Sequence, residues 1–168
     1  MGWANRQPPN QPVTQAPKFL RSRMALPGEY EPSPWEPISE QVALYESTGG
    51  TQGDTLEGAA CVILWTTGRK SGKVRKTPLI RAERGGSYAV IASMGGSPSA
   101  PVWSHNIDSD PLVSLQDGAE LRDYVARKVE GQEKADWWAI AMSVWPQFDS
   151  YQEATDRVIP LFVIEQIL

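Results

Sequence analysis

Cysteine and histidine are nearly missing from this 168-residue chain, which holds one of each. A lone cysteine excludes an intrachain disulfide. Cys61 lies inside the apolar run Cys61-Val62-Ile63-Leu64-Trp65, which marks it as a small buried hydrophobe rather than a nucleophile. His105 lacks a set of cysteine or carboxylate partners at ligand spacing, so no metal site is expected and the residue reads as a surface or packing histidine. Long apolar runs are also missing: none reaches the roughly 20 residues that span a bilayer. The N-terminus lacks the basic-then-apolar order of a secretory signal, and a cytoplasmic protein is the expectation. Positive charge is in deficit overall, with a formal net charge of -4 and a pI of about 5.1, which argues against a nucleic-acid partner.

Against that acidic background, five cations crowd between Arg69 and Lys76, in Thr66-Thr67-Gly68-Arg69-Lys70-Ser71-Gly72-Lys73-Val74-Arg75-Lys76-Thr77-Pro78. A basic knot on an acidic protein points to an anionic ligand. It is not a Walker phosphate loop, because three residues rather than four separate Gly68 from Gly72 and valine follows Lys73. Glycine-rich backbone offers N–H donors, and Arg and Lys add charge-assisted hydrogen bonds, which together suit a small polyanion. A solvated hairpin turn is the alternative reading of these residues by themselves.

Residues 1–37 hold eight of the fourteen prolines, interspersed with Gln and Asn, and read as a flexible arm before a single domain at 38–168. Within the arm, Lys18-Phe19-Leu20-Arg21-Ser22-Arg23-Met24 mixes apolar and basic residues and is a candidate for weak peripheral membrane contact. Ser39 to Ser47 has helical periodicity, with Ser39 as the expected N-cap and Gly49-Gly50 as the stop. The runs on both sides of the knot read as strands. Leu79 to Arg84 and Tyr88 to Ala92 form a hairpin around Gly85-Gly86, and Leu112 to Leu115 and Leu121 to Val129 form another around Asp117-Gly118. One or two helical turns are expected over 101–109. From Gln132 the apolar period becomes helical, through Trp137, Trp138, Ala141, Val144 and Trp145, until Pro146 breaks it. A second short helix would carry Phe148, Tyr151 and Thr155. Val158 to Ile164 reads as a closing strand, with Pro160 suggesting an edge or bulge. The sum is an α+β domain, mainly β, with short flanking helices.

Five segments occur together in order: Thr66-Thr67-Gly68-Arg69-Lys70-Ser71-Gly72, Arg75-Lys76-Thr77-Pro78-Leu79, Ala92-Ser93-Met94-Gly95-Gly96, Pro101-Val102-Trp103-Ser104-His105-Asn106, and Tyr151-Gln152 with Thr155-Asp156-Arg157 and Ile159-Pro160. The series resembles the deazaflavin-dependent nitroreductase family of actinobacteria, a branch of the FMN-binding-like split β-barrel proteins, from about Gly58 to Glu165. The resemblance implies F420 as cofactor, a 5-deazaflavin with a phosphodiester and an oligoglutamate tail, and a small-molecule electron acceptor as partner. It implies that Arg69, Lys70 and Ser71 hold the phosphate and tail. Arg75, Lys76, Thr77, Pro78, Leu79 and Ile80 would follow the ribityl chain. Ile91, Ala92, Ser93 and Met94 would form one wall by the ring, Val102, Trp103, Ser104, His105 and Asn106 a further segment, and Phe148 a position over the ring.

Two departures from the best-known branch stand out. Met94 replaces a lysine, and Trp145, Phe148 and Tyr151 occupy three tyrosine positions over the substrate pocket, so only Tyr151 keeps a hydroxyl. The resemblance implies hydride transfer from reduced F420, with Ser93 orienting the ring and Tyr151 or a water supplying a proton. The aromatic wall suits flat conjugated acceptors such as quinones, enones, lactones or nitroaromatics, and activity on bulky nitroimidazoles is not expected to carry over. An FMN-binding split-barrel oxidoreductase and a non-catalytic cofactor-binding module are the competing readings. Monomer and homodimer are both compatible with the pattern.

Overall fold

The computed structural model describes residues 25–167. The membrane-contact candidate at 18–24 lies outside them, as does the rest of the arm before residue 25. In chain order the elements are α1 (Glu36–Ser47), β1 (Thr55–Leu56), β2 (Ala59–Thr67), β3 (Val74–Ile80), β4 (Ala82–Arg84), β5 (Ser87–Ile91), α2 (Val102–Ser109), β6 (Leu112–Asp117), β7 (Glu120–Val129), α3 (Gly131–Val144), α4 (Gln147–Glu153) and β8 (Leu161–Gln166).

The strands form one eight-stranded sheet in the order β1-β2-β6-β7-β8-β5-β4, with β3 paired to β2, and all of these pairings are antiparallel. Only Arg81 separates β3 from β4, although they pair with different neighbours. One bent strand therefore joins the two ends of the sheet and curls it into a barrel. Arg81 Nε donates to both carboxylate oxygens of Asp117, at 3.1 and 3.0 Å, and Tyr88 Oη donates to Asp117 at 2.6 Å. This cluster ties the bend to the β6–β7 turn.

Alternation along the strands explains why several read as continuous apolar runs. Successive side chains point to opposite faces, and here both faces are covered. Val62 and Leu64 of β2, Tyr88 and Val90 of β5, and Phe162 and Ile164 of β8 fill the barrel interior. Cys61 and Ile63 pack outward with Val42 and Tyr45 of α1. Ala89, Ile91, Leu161 and Val163 pack outward with Ala141, Trp145 and Phe148 of the α3–α4 pair.

Four expectations need correction. The N-cap of α1 is Trp35, with Pro37 in the first turn; Ser39 lies inside the helix, where its Oγ donates to the Glu36 carbonyl at 3.1 Å. The strand expected from Leu79 to Arg84 is broken at Arg81, and its first half begins at Val74, inside the basic knot. Thr155 falls beyond the end of α4. Pro160 does not mark an edge: β8 starts after it and lies between β5 and β7, and the Pro160 carbonyl accepts from Ala92 N at 2.9 Å.

Residues 25–34 run as a strap along the barrel. Tyr30 bridges Val74 in parallel, Val74 N donates to the Glu29 carbonyl at 2.8 Å, and Glu31 N donates to the Val74 carbonyl at 3.0 Å. Leu26 N donates to Ser114 Oγ at 2.9 Å.

Candidate active site and family

The basic turn is held from below by one buried amide. Asn106, 1% exposed on α2, donates from Nδ2 to Thr66 Oγ1 at 3.1 Å and accepts at Oδ1 from Arg69 N at 3.1 Å. Inside the turn, Gly68 N donates to the Lys73 carbonyl at 2.7 Å and Gly72 N to the Gly68 carbonyl at 2.8 Å. A Cβ on Gly68 would lie 2.7 Å from Ser71 Oγ and 3.1 Å from the Lys73 carbonyl, so a larger residue there must push the exposed Ser71 side chain aside.

Charge in the knot divides into two sets. Lys73 faces Glu29 at 4.0 Å, Arg75 pairs with Glu31 at 2.8 Å, and Lys76 pairs with Glu46 at 2.5 Å. Lys76 is also caged by the rings of Trp65 and Tyr30, at 4.0 and 4.2 Å from their centroids, and its side chain is 8% exposed. Arg69 and Lys70 are exposed and form no ion pair among the described residues. They are the cations left to meet an external anion.

At the other end of β3 a cavity of about 240 Å³ opens between barrel and helices. Pro78, Leu79 and Ile80 line one side, Ile91 and Ser93 another, and Trp145, Phe148 and Tyr151 a third. Phe148 meets Tyr151 edge-on at 6.2 Å, and Trp145 Nε1 donates to Tyr151 Oη at 3.3 Å. Ser93 is 7% exposed, and its hydroxyl has no hydrogen-bond partner among the described residues. Trp138 backs the wall: its ring lies 6.2 Å from that of Phe148, and its Nε1 donates to Asp149 at 2.7 Å.

The sequence-predicted residues thus divide. Eight of them converge on the cavity, and Arg69, Lys70 and Ser71 stand exposed at the turn. Other side chains point elsewhere. Trp103 belongs to the barrel core, edge-on to Phe162 at 6.1 Å, because α2 plugs the barrel with its apolar side. Ser104 Oγ donates to the Pro101 carbonyl at 2.7 Å, and Lys76 faces α1 rather than the knot's exposed side. Ala92 is fully buried, whereas Met94 and Val102 are 59% and 70% exposed and His105 is partly exposed. None of these seven side chains lines the cavity.

Sequence reasoning missed Leu56, Glu57, Ala82, Ala89, Val90 and Ala141 in the cavity wall. It also gave no role to Arg157, whose guanidinium donates to the carbonyls of Ala92, Ser93 and Ser97. Its place in the Thr155-Asp156-Arg157 segment was the available signal.

The donor set fits F420. Two unpaired cations and a backbone turn suit an anionic tail, an apolar cavity with an unpartnered hydroxyl suits a planar ring carrying polar edges, and β3 connects the two over ~20 Å at about 3.3 Å per residue.

Comparison with known proteins agrees. The family described as F420H(2)-dependent quinone reductase matches residues 38–166. An F420H(2)-dependent quinone reductase of Mycobacterium tuberculosis is 32% identical over 126 residues, covering 73% of this chain and 85% of the relative. A solved F420-H2 dependent reductase, FDR-A, is 46% identical, with a TM-score of 0.60 over 62% of this chain and 93% of that one. Another solved structure, described as a domain-swapped dimer, is 42% identical, with a TM-score of 0.63 over 75% and 92%. The chain belongs to the F420H(2)-dependent quinone reductase family: it is an oxidoreductase on a split β-barrel, and its cofactor is the deazaflavin F420.

Proposed function

We propose that this protein passes a hydride from F420H2 to a flat conjugated acceptor in the cavity, a quinone first, with enones, lactones and nitroaromatics as further members of the class. The observation that carries this reading is the position of the aromatic cavity and the unpaired cations at opposite ends of β3. Arg69, Lys70 and Ser71 would hold the phosphate and tail. Pro78 to Ile80, Ile91 and Ser93 would hold the ring end. Bound and reduced, F420 supplies the hydride.

The protein's own tasks are positioning, exclusion of water and delivery of a proton. Trp145 and Phe148, 9% and 7% exposed, offer a dry surface on which a planar acceptor can stack. Ser93 Oγ is free to hydrogen-bond a polar ring edge. Tyr151 Oη accepts from Trp145 Nε1, so its own proton is not engaged in that bond and can be donated to a reduced acceptor.

Titration of tryptophan fluorescence with F420 and with FMN tests the cofactor arm. F420 should quench and salt should weaken it, while FMN, which lacks the tail, does little; charge reversal at Lys70 should weaken F420 more than FMN. Turnover of a quinone with F420H2 tests the chemistry. Tyr151→Phe should lower kcat by roughly 10²-fold, the low end for loss of a general acid; unchanged turnover would transfer the proton-donor role to water.

A further inference from the structure

Arg157 lies between α4 and β8, outside the cavity lining, and forms no ion pair among the described residues. All its observed side-chain bonds go to another loop. Nε donates to the Ser97 carbonyl at 2.8 Å, and Nη2 donates to the carbonyls of Ala92 and Ser93, each at 2.9 Å. An arginine confined to backbone acceptors is acting as a brace, and its planar fork can reach several carbonyls where a lysine's point charge cannot.

The braced loop needs holding. Met94 sits at φ +45°, a conformation that disfavours any side chain, and Gly95 and Gly96 follow at +64° and +83°. Gly96 N donates back to the Ser93 carbonyl at 2.9 Å, so that one oxygen serves both the tight turn and the guanidinium. A Cβ on Gly96 would stand 2.8 Å from the Tyr151 carbonyl, which shows how closely the loop rests on α4. Gln152 fixes the other side: its Nε2 donates to the Arg157 carbonyl at 2.8 Å and its Oε1 accepts from Ile159 N at 2.9 Å. The result is one polar network linking the Ser93 wall to the helix that carries Phe148 and Tyr151.

We propose that Arg157 is a positioning residue: it fixes the Ser93 hydroxyl at the cavity wall and sets that wall's register against α4. The inference rests on the cofactor reading above, since the position of Ser93 matters only if its hydroxyl meets the ring. It predicts that Arg157 acts through Ser93 and not through charge at the tail end.

The experiment is a double-mutant cycle for F420 binding, with Arg157→Lys, Arg157→Ala, Ser93→Ala and the doubles, read by tryptophan fluorescence and by the split of KM and kcat. Arg157→Ala should raise the Kd for F420 by about tenfold, Arg157→Lys by less, and neither should weaken binding much further when Ser93 is already alanine, because residues acting as a unit are not additive. Added guanidinium should restore part of the binding to Arg157→Ala. A general loss of packing would respond neither to guanidinium nor to the Ser93 background. Where Arg157→Ala fails to fold, the lysine variant carries the cycle.

Additive losses, or an Arg157→Lys protein indistinguishable from the parent, would overturn the proposal. Amide exchange at Gly96 and Ser97 in the cofactor-free protein reads the brace by itself: exchange should quicken in Arg157→Lys, and unchanged protection would also overturn it. A parent protein that shows this brace yet binds no F420 would instead sink the cofactor reading, and with it the function assigned to the brace.

Discussion

The Cys61 thiol lies between α1 and β2, 3% exposed, with Gln41 Nε2 at 3.7 Å and the Gly53 carbonyl at 3.5 Å. Burial, reinforced by the Asp54 carboxylate, pushes its pKa up to about 11. The folded protein therefore keeps the thiol protonated while the unfolded chain ionises it from about pH 9 upward. By linkage, the state that holds more protons gains as pH falls, so the Cys61 contribution is fully present below about pH 9 and is lost as pH rises towards 11. Urea unfolding at pH 7, 9 and 10.5 should show stability declining with pH, and Cys61→Ala should flatten that decline even though it lowers stability overall. Buried tyrosines with raised pKa values, Tyr45 and Tyr124 among them, add their own slope. The difference between parent and variant isolates the thiol, and an identical slope in the two would remove Cys61 from the account.

At the scale of the element, the basic turn depends on α2 as well as on its own glycines. Removing the Asn106 side chain leaves the Arg69 amide and the Thr66 hydroxyl without their partner, which costs about 1–3 kcal/mol for buried groups. Asn106→Ala should thus loosen the turn, raise the Kd for F420 severalfold and reduce its salt dependence, with FMN used as the tail-free control; unchanged F420 affinity would deny that the turn's shape matters. The turn was legible in the sequence because glycine spacing and apolar runs are local signals. The hairpins at Gly85-Gly86 and Asp117-Gly118 were legible for the same reason: β4 and β5 pair across the first, and β6 and β7 across the second. What the sequence could not disclose was pairing between distant elements. Nothing local says that Lys76 faces Glu46 thirty residues earlier, that Trp103 turns into the barrel while Asn106 turns to the knot, or that Arg157 reaches back to Ala92. The resemblance named segments that include eight cavity-lining residues but did not distinguish cavity side chains from those that support them, because both kinds sit in the same short motifs.

For the whole molecule, closure of the barrel is the property on which the cavity depends, since β3 carries Pro78, Leu79 and Ile80 and β5 carries Ile91, all of which line it. The chain achieves it by bending one strand at Arg81 and anchoring the bend to Asp117 across the barrel. Tyr88, whose hydroxyl is kept protonated well above its usual range by burial and by Asp117, adds the third member. Asp117→Ala removes the common acceptor, leaving the Tyr88 hydroxyl without its acceptor and Arg81 with only its longer ion pair to Glu83 at 3.7 Å. Because Arg81 is 38% exposed and can recover water, the cost should be about 2 kcal/mol rather than the larger penalty of a fully buried pair. For a protein of this size that corresponds to a Tm lower by roughly 4–8 °C. The cluster touches neither the basic turn nor Trp145, Phe148 and Tyr151, so the folded fraction of Asp117→Ala should bind F420 with the parent's Kd. A variant that kept its Tm but lost F420 would show that the bend shapes the cavity directly, whereas a lower Tm with intact affinity would show that it acts by holding the barrel shut.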